Sequence, residues 1–196
     1  MKKINLLITT LLLSLSVFAQ GHLTFKGLEI NGSLAEFSAQ LSSMGYTLFY
    51  TNDSGDAKVF KGPFAGYDDC KIFVLATPKT KTVWKVAVNF PEQKSWSTLK
   101  SMYNNYKVSL TNKYGDPASD YHFFSKPYYE GDGYEFQALR NEKCFYTAMF
   151  ENDLGDILIE IDDKDYNSGQ VCISYEDKIN GELRQSEKQQ NINNDL

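Results

Sequence analysis

The chain twice changes its hydrophobic period from helical to alternating, and that switch limits the folds open to it. "NGSLAEFSAQLSSMGY" places Ser33 three residues before Glu36, the spacing of a capping box. Leu34, Phe37, Leu41 and Met44 then recur at helical spacing, and Gly45 suits a left-handed stop. Strand-like runs follow at 46–51, 57–64, 69–76 and 82–90, separated by the turn-formers "NDSGD", "AGYD" and "TPKTK". Beyond Pro91 the pattern starts again. Trp96, Leu99, Tyr103, Tyr106, Leu110 and Tyr114 make one helical face, which Gly115 and Pro117 end. Further strands are predicted near 118–124, 134–140, 143–150, 156–162 and 170–175.

This pattern predicts an α+β fold of two tandem repeats, each a helix followed by an antiparallel sheet of about four strands. The predicted units are residues 20–91 and 92–177, with a polar, disordered tail over 178–196. Gly45 and Gly115 close the two helices, and "CKIFVLA" and "CFYTAMF" start corresponding strand-like runs at Cys70 and Cys144. The second half differs by a longer loop.

The first 19 residues carry Lys2 and Lys3, an apolar run from Ile4 to Phe18, and then Ala19. This is the layout of a secretory signal cut after Ala19, and the run is shorter than the roughly 20 residues that span a bilayer. Export to the periplasm or the outside is therefore expected, with no stable membrane anchor after cleavage. Loss of two lysines leaves 18 Lys+Arg against 25 Asp+Glu, a formal −7. A surface of that sign repels nucleic acid and anionic membrane. The three cysteines, Cys70, Cys144 and Cys172, fit either one disulfide or buried free thiols. They form no CxxC or Cys/His cluster of the kind a structural zinc needs.

Catalytic chemistry finds little footing. A serine or cysteine nucleophile needs a base, and the histidines are His22 and His122, with no G-x-S-x-G turn. No glycine-rich loop precedes a Lys-Ser/Thr helix start. Glu135, Glu151 and Glu160 lie on or beside predicted strands, where nothing in the sequence pairs them across a cleft. In "IEIDDKDYNSG", Asp163, Asp165 and Asn167 alternate like calcium ligands, but the glycine falls one residue late at Gly169 and the twelfth position is Ser174. A looser calcium site on Asp162, Asp163 and Asp165 competes with a solvated acidic turn, which is the preferred reading. The expectation is a protein that is not an enzyme and uses no cofactor.

The aromatic stretch "YHFFSKPYYEGDGY", residues 121–134, is the strongest binding signal. Successive strand residues face opposite sides, so Phe123 and Phe124 cannot share one core. Past Ser125 the proline, glycines and charges indicate a loop. Tyrosines there suit recognition because they lose little entropy on binding, although they also suit local packing. Phe124, Tyr128, Tyr129 and Tyr134 are the candidate binding residues.

"HLTFKGLEINGS", "GPFAGYDDCKIFV", "LTNKYGDP" and "ISYEDKING" resemble small secreted proteins of gut-type Bacteroidetes with no assigned activity. The tandem helix-plus-sheet pattern resembles, in fold alone, the β-lactamase-inhibitor-protein-like repeat and small outer-membrane assembly lipoproteins. Those folds imply a sheet face or loops offered to another protein, and this chain lacks the lipobox cysteine of the lipoproteins. The expected function is an exported protein-interaction module with a protein partner. The alternative is an envelope protein that binds glycans or small molecules.

Overall fold

Both amphipathic segments fold as helices, and their caps show why. α1 spans Leu34–Ser43; Ser33 accepts from the Glu36 backbone while the Glu36 side chain reaches back, completing the capping box. Two hydrogen bonds from Ser33 hold the Glu36 carboxyl below the usual carboxylate range. α2 spans Trp96–Tyr114, with the Ser95 side chain accepting from Thr98 N. The computed structural model describes residues 21–195, so the predicted signal segment lies outside the described residues.

A short hairpin of β1 (Thr24–Phe25) and β2 (Leu28–Glu29) precedes α1. After α1 come β3 (Thr47–Thr51), β4 (Ala57–Phe64), β5 (Tyr67–Ala76) and β6 (Val83–Asn89). After α2 come β7 (Ser119–Phe124), α3 (Glu135–Arg140), β8 (Cys144–Asn152), β9 (Gly155–Asp165), β10 (Ser168–Asp177) and α4 (Lys178–Asp195).

The expected plan of two tandem repeats, each with its own sheet of about four strands, is not what forms. β3 to β10 make one continuous antiparallel sheet of eight strands in the order β3-β4-β5-β6-β10-β9-β8-β7, and this sheet dominates the molecule. The reason lies in β6 and β10. Both are apolar strands, and as edges of separate sheets they would leave a row of backbone donors and acceptors unpaired. Instead they pair with each other from Cys172↔Asn89 to Glu176↔Lys85.

Two local expectations also change. A strand is expected near residues 134–140, but 135–140 form α3. Glu, Gln, Ala, Leu and Arg are strong helix formers, and the turn buries Ala138 and Leu139 together. The C-terminal segment, expected to be a disordered tail, is helical as α4. Asp177 starts it: fully buried, it accepts from Asn180 N at 2.9 Å and Leu23 N at 2.9 Å, with His22 Nδ1 3.0 Å away.

One face of the sheet is covered. Ile72 and Val74 of β5, Val86 and Val88 of β6, Ile157 and Ile159 of β9, and Val171 and Ile173 of β10 are buried there. α1 packs on β5, α2 on β8 to β10, and α3 on β8 and β9. Phe25 of the hairpin stacks on Phe64 at 5.5 Å and meets Tyr175 edge-on at 5.7 Å. Gly169 lets α2 approach β10, because a Cβ there would lie 2.7 Å from Leu99 Cδ2. Among the described residues, no helix is long and apolar enough to cross a membrane.

α4 is docked by one carboxylate. Glu187, almost fully buried, accepts from Lys79 N at 2.7 Å, Thr80 N at 3.3 Å and Thr80 Oγ1 at 2.7 Å in the β5–β6 turn. Burial opposes its charge, but these hydrogen bonds outweigh burial and keep its carboxyl below the usual range. Glu187→Ala should cost about 1–3 kcal/mol in denaturant titration. Trypsin should then cut at Arg184 or Lys188 faster than in the parent.

Candidate functional site

The face of the sheet opposite α1, α2 and α3 carries side chains that a solvent-facing surface does not need. Registers across all eight strands align them in rows. One row runs Tyr50, Val59, Phe73, Ala87, Ser174, Leu158, Met149 and Ser119. Seven strand spacings make this stripe roughly 34 Å long. It is mostly apolar, where an antiparallel sheet with one wet face normally alternates to polar residues. Tyr50 is exposed, Phe73, Ala87, Leu158 and Met149 are half-buried, and Val59 and Ser174 are buried among their neighbours.

A second row, two residues along, runs Thr47, Lys61, Lys71, Asn89, Cys172, Glu160, Thr147 and Tyr121. Its charge is divided, with Lys61 and Lys71 on β4 and β5 and the Glu160 carboxyl on β9. The ammonium groups of Lys61 and Lys71 lie 4.7 Å and 5.8 Å from the Phe49 ring centroid. Burial and neighbouring Asp162 raise the Glu160 carboxyl above the usual range, only partly offset by Lys85. Lys85 itself lies 3.4 Å from Glu176. Exposed aromatics stand at both ends: Phe49 and Tyr50 on β3, and Tyr121, Phe123 and Phe145 on β7 and β8. Phe123 and Phe145 contact each other at 5.2 Å. α4 bounds one end of this face, where Gly181 lies against Glu176 and the Arg184 guanidinium sits 4.5 Å from the Trp84 ring centroid.

The candidate residues drawn from the aromatic stretch are split rather than gathered. Phe124 turns to the covered side, edge-on to Trp96 at 5.9 Å. Tyr128 is half-buried against the core, and its hydroxyl accepts from Asn141 Nδ2 at 3.0 Å. Tyr129 and Tyr134 are exposed, at 65% and 60%. Tyr134 lines a separate cleft with Phe136, Gln137, Arg140, Asn141, Tyr166 and Asn167. The loop itself is well tied: Asp132 accepts from Tyr129 N at 3.0 Å and Tyr134 N at 2.8 Å, and Glu130 pairs with Lys100 of α2.

The acidic candidates also part company. Asp162 and Asp163 are successive strand residues and point to opposite faces. Asp163 lies 3.6 Å from Arg140, and Asp165 accepts from Tyr166 N at 2.7 Å. Among the described residues, no three His, Cys, Asp or Glu side chains are grouped to hold a metal. The cysteines are free thiols. Burial pushes Cys70 up to about 11 and Cys144 and Cys172 up to about 12, so all three stay protonated and poorly nucleophilic near neutral pH. Cys172 lies on the open face, with its thiol donating to Asn89 Oδ1 at 3.2 Å.

Residues that sequence reasoning passed over include Phe49, Tyr50, Phe73, Leu158 and Tyr166. The adjacent aromatics of "LFY" were a legible signal, since two neighbours on a strand cannot both enter one core. Phe73 and Leu158 gave none, because buried and open faces of a strand look alike when both are apolar. Comparison of the chain with protein-family models, curated proteins and solved structures returns no match.

The Lys100–Glu130 pair makes the loop pH-sensitive. Lys100 is the main reason the Glu130 carboxyl is held below its usual range. A depressed carboxyl contributes above its unfolded pKa and loses that contribution as pH falls through the folded one. Protection factors over 125–134, taken against intrinsic exchange at each pH, should therefore fall as pH drops below about 4. In Lys100→Met the same amides should exchange faster already at pH 7, with global stability changed by less than about 1 kcal/mol because the pair is partly exposed.

Proposed function

We propose that this chain is an exported, non-enzymatic protein-interaction module whose docking surface is the open face of the eight-stranded sheet. The apolar stripe from Tyr50 to Met149 carries this reading. An apolar band this long on an otherwise acidic protein is an association surface rather than a solubilising one. With the rows beside it, the face measures roughly 34 Å by 20 Å, approaching the ~800 Å² per partner of a stable complex.

Charge specifies the partner. The β9 side of the face presents Glu160 and Asp162 with Lys85 as their nearby cation, and burial and Asp162 hold the Glu160 carboxyl above its usual range. The fitting partner is a protein surface with an apolar ridge flanked by lysine or arginine. Exposed Tyr121, Phe123 and Phe145 supply rigid anchors at one edge, and the loop bearing Tyr129 leaves the end of the same edge strand. Export is the reading supported by the charged and apolar N-terminal segment, and a secreted setting suits a protein whose recognisable features are surfaces.

The mature chain, beside Leu158→Glu and Phe73→Ser variants, tests this on native envelope and culture fluid. The expected result is one protein bound by the parent, at least about tenfold more weakly by either variant, and less tightly as salt rises. Both substitutions lie on the open face, so circular dichroism and melting should stay close to the parent. Equal capture by parent and variants, or binding indifferent to salt, would overturn the assignment to this face.

A further inference from the structure

A second site stands on different residues from the sheet face. α3 lies on the covered side of the sheet, and between it and the β9–β10 turn opens a cleft of about 510 Å³, within the range of small-molecule sites. Its walls are two exposed tyrosines, Tyr134 before α3 and Tyr166 in the turn, at 60% and 68% exposure. Phe136 joins them, held edge-on against Trp96 at 5.7 Å, so this part of the lining is anchored to the core. The Arg140 guanidinium lies 4.1 Å from the Tyr166 ring centroid and orients that ring. Arg140 Nη1 is also 3.6 Å from Asp163 Oδ2. Gln137, Asn141 and Asn167 add three side-chain amides.

We propose that this cleft binds a neutral hexopyranose unit of a glycan. A pyranose has a face of C–H groups that packs on an aromatic ring and an edge of adjacent hydroxyls that needs planar, forked donors and acceptors. The cleft offers both kinds of surface side by side: tyrosine and phenylalanine rings for the face, and amide and guanidinium forks for the edge. Charge selects among sugars. Asp163 answers the positive charge of Arg140, leaving no excess cation to compensate a uronate or a phosphate. A purely apolar ligand is disfavoured too, because it would bury these polar groups without partners. The site thus selects a ligand that is neutral overall, polar at its rim and apolar on one face.

The test uses the mature chain on an immobilised panel of neutral, N-acetylated and uronate-bearing oligosaccharides, followed by NMR titration with the best soluble member. A neutral member should bind, shifting the amides of Tyr134, Gln137, Tyr166 and Asn167. Tyr134→Ala and Tyr166→Ala should each weaken it about tenfold or more, whereas Tyr166→Phe, which keeps the ring, should bind nearly as the parent does. Leu158→Glu should leave sugar binding untouched, so a chain that captures its protein partner but no sugar fails this proposal alone. The proposal is overturned by a panel with no bound member at millimolar sugar, by preference for the uronates, or by binding that survives both alanine variants.

Discussion

The pairing of β6 with β10 is the constraint on which the molecule depends. It joins residues 85–89 to 172–176 along one ladder, with Val88 opposite Ile173 in the buried layer and Lys85 opposite Glu176 on the open face. Two sheets of four strands would each end in an apolar edge; one sheet of eight removes both. The cost is contact order, because this ladder can close only after most of the chain has been made. α4 reinforces the same seam. It starts at Asp177, the last residue of β10, and its Glu187 clasps the turn that leads into β6.

Joining the strands also fixes what each face can be. On the covered side, the second half of the sheet closes around Trp96, whose ring meets Phe124, Phe136 and Tyr146 edge to face at 5.5–5.9 Å. This cluster sets the geometry of the loop between β7 and α3, because Phe124 anchors its start and Phe136 its end. The tyrosines between them then divide by reach: Tyr128 falls back onto the core, and Tyr129 stays out. On the open side nothing comparable intervenes. Continuity across β6 and β10 is what turns the short apolar segments Val59–Phe73 and Leu158–Met149 into one stripe, since neither half alone would carry it past four strands.

Much of the element plan was legible in the sequence. The capping box at Ser33 and Glu36, the helical face from Trp96 to Tyr114, and the strand runs bounded by Gly, Asp and Asn turns each rest on local chemistry that operates within a few residues. What was not legible is long-range. Nothing near β6 announces that its partner is β10, so a sheet that crosses the two halves reads from sequence as two sheets. The α3 segment reads as a strand because a six-residue window is too short to separate helical from alternating spacing, and only the fold shows Ala138 and Leu139 buried together. α4 was missed because its polarity looks like a tail, yet buried Glu187 docks through hydrogen bonds rather than an apolar stripe. In the aromatic stretch, which of the rings faces out depends on Asn141, Trp96 and Asp132, contacts outside any local pattern.

The same sheet keeps the two proposed surfaces apart. Leu158, Glu160 and Asp162 of β9 project to the open face, while Asp163, one residue on, projects to the side where Arg140 of α3 meets it. A single strand therefore delivers the acidic edge of one surface and the charge-balancing carboxylate of the other, and the alternation of the pleat keeps those roles from mixing. Removal of Asp163 would free the Arg140 charge without touching the stripe. Removal of Leu158 would interrupt the stripe without changing the cleft. Independence of this kind follows from backbone geometry alone, so a protein partner on the sheet and a sugar beside Tyr166 could be held at once.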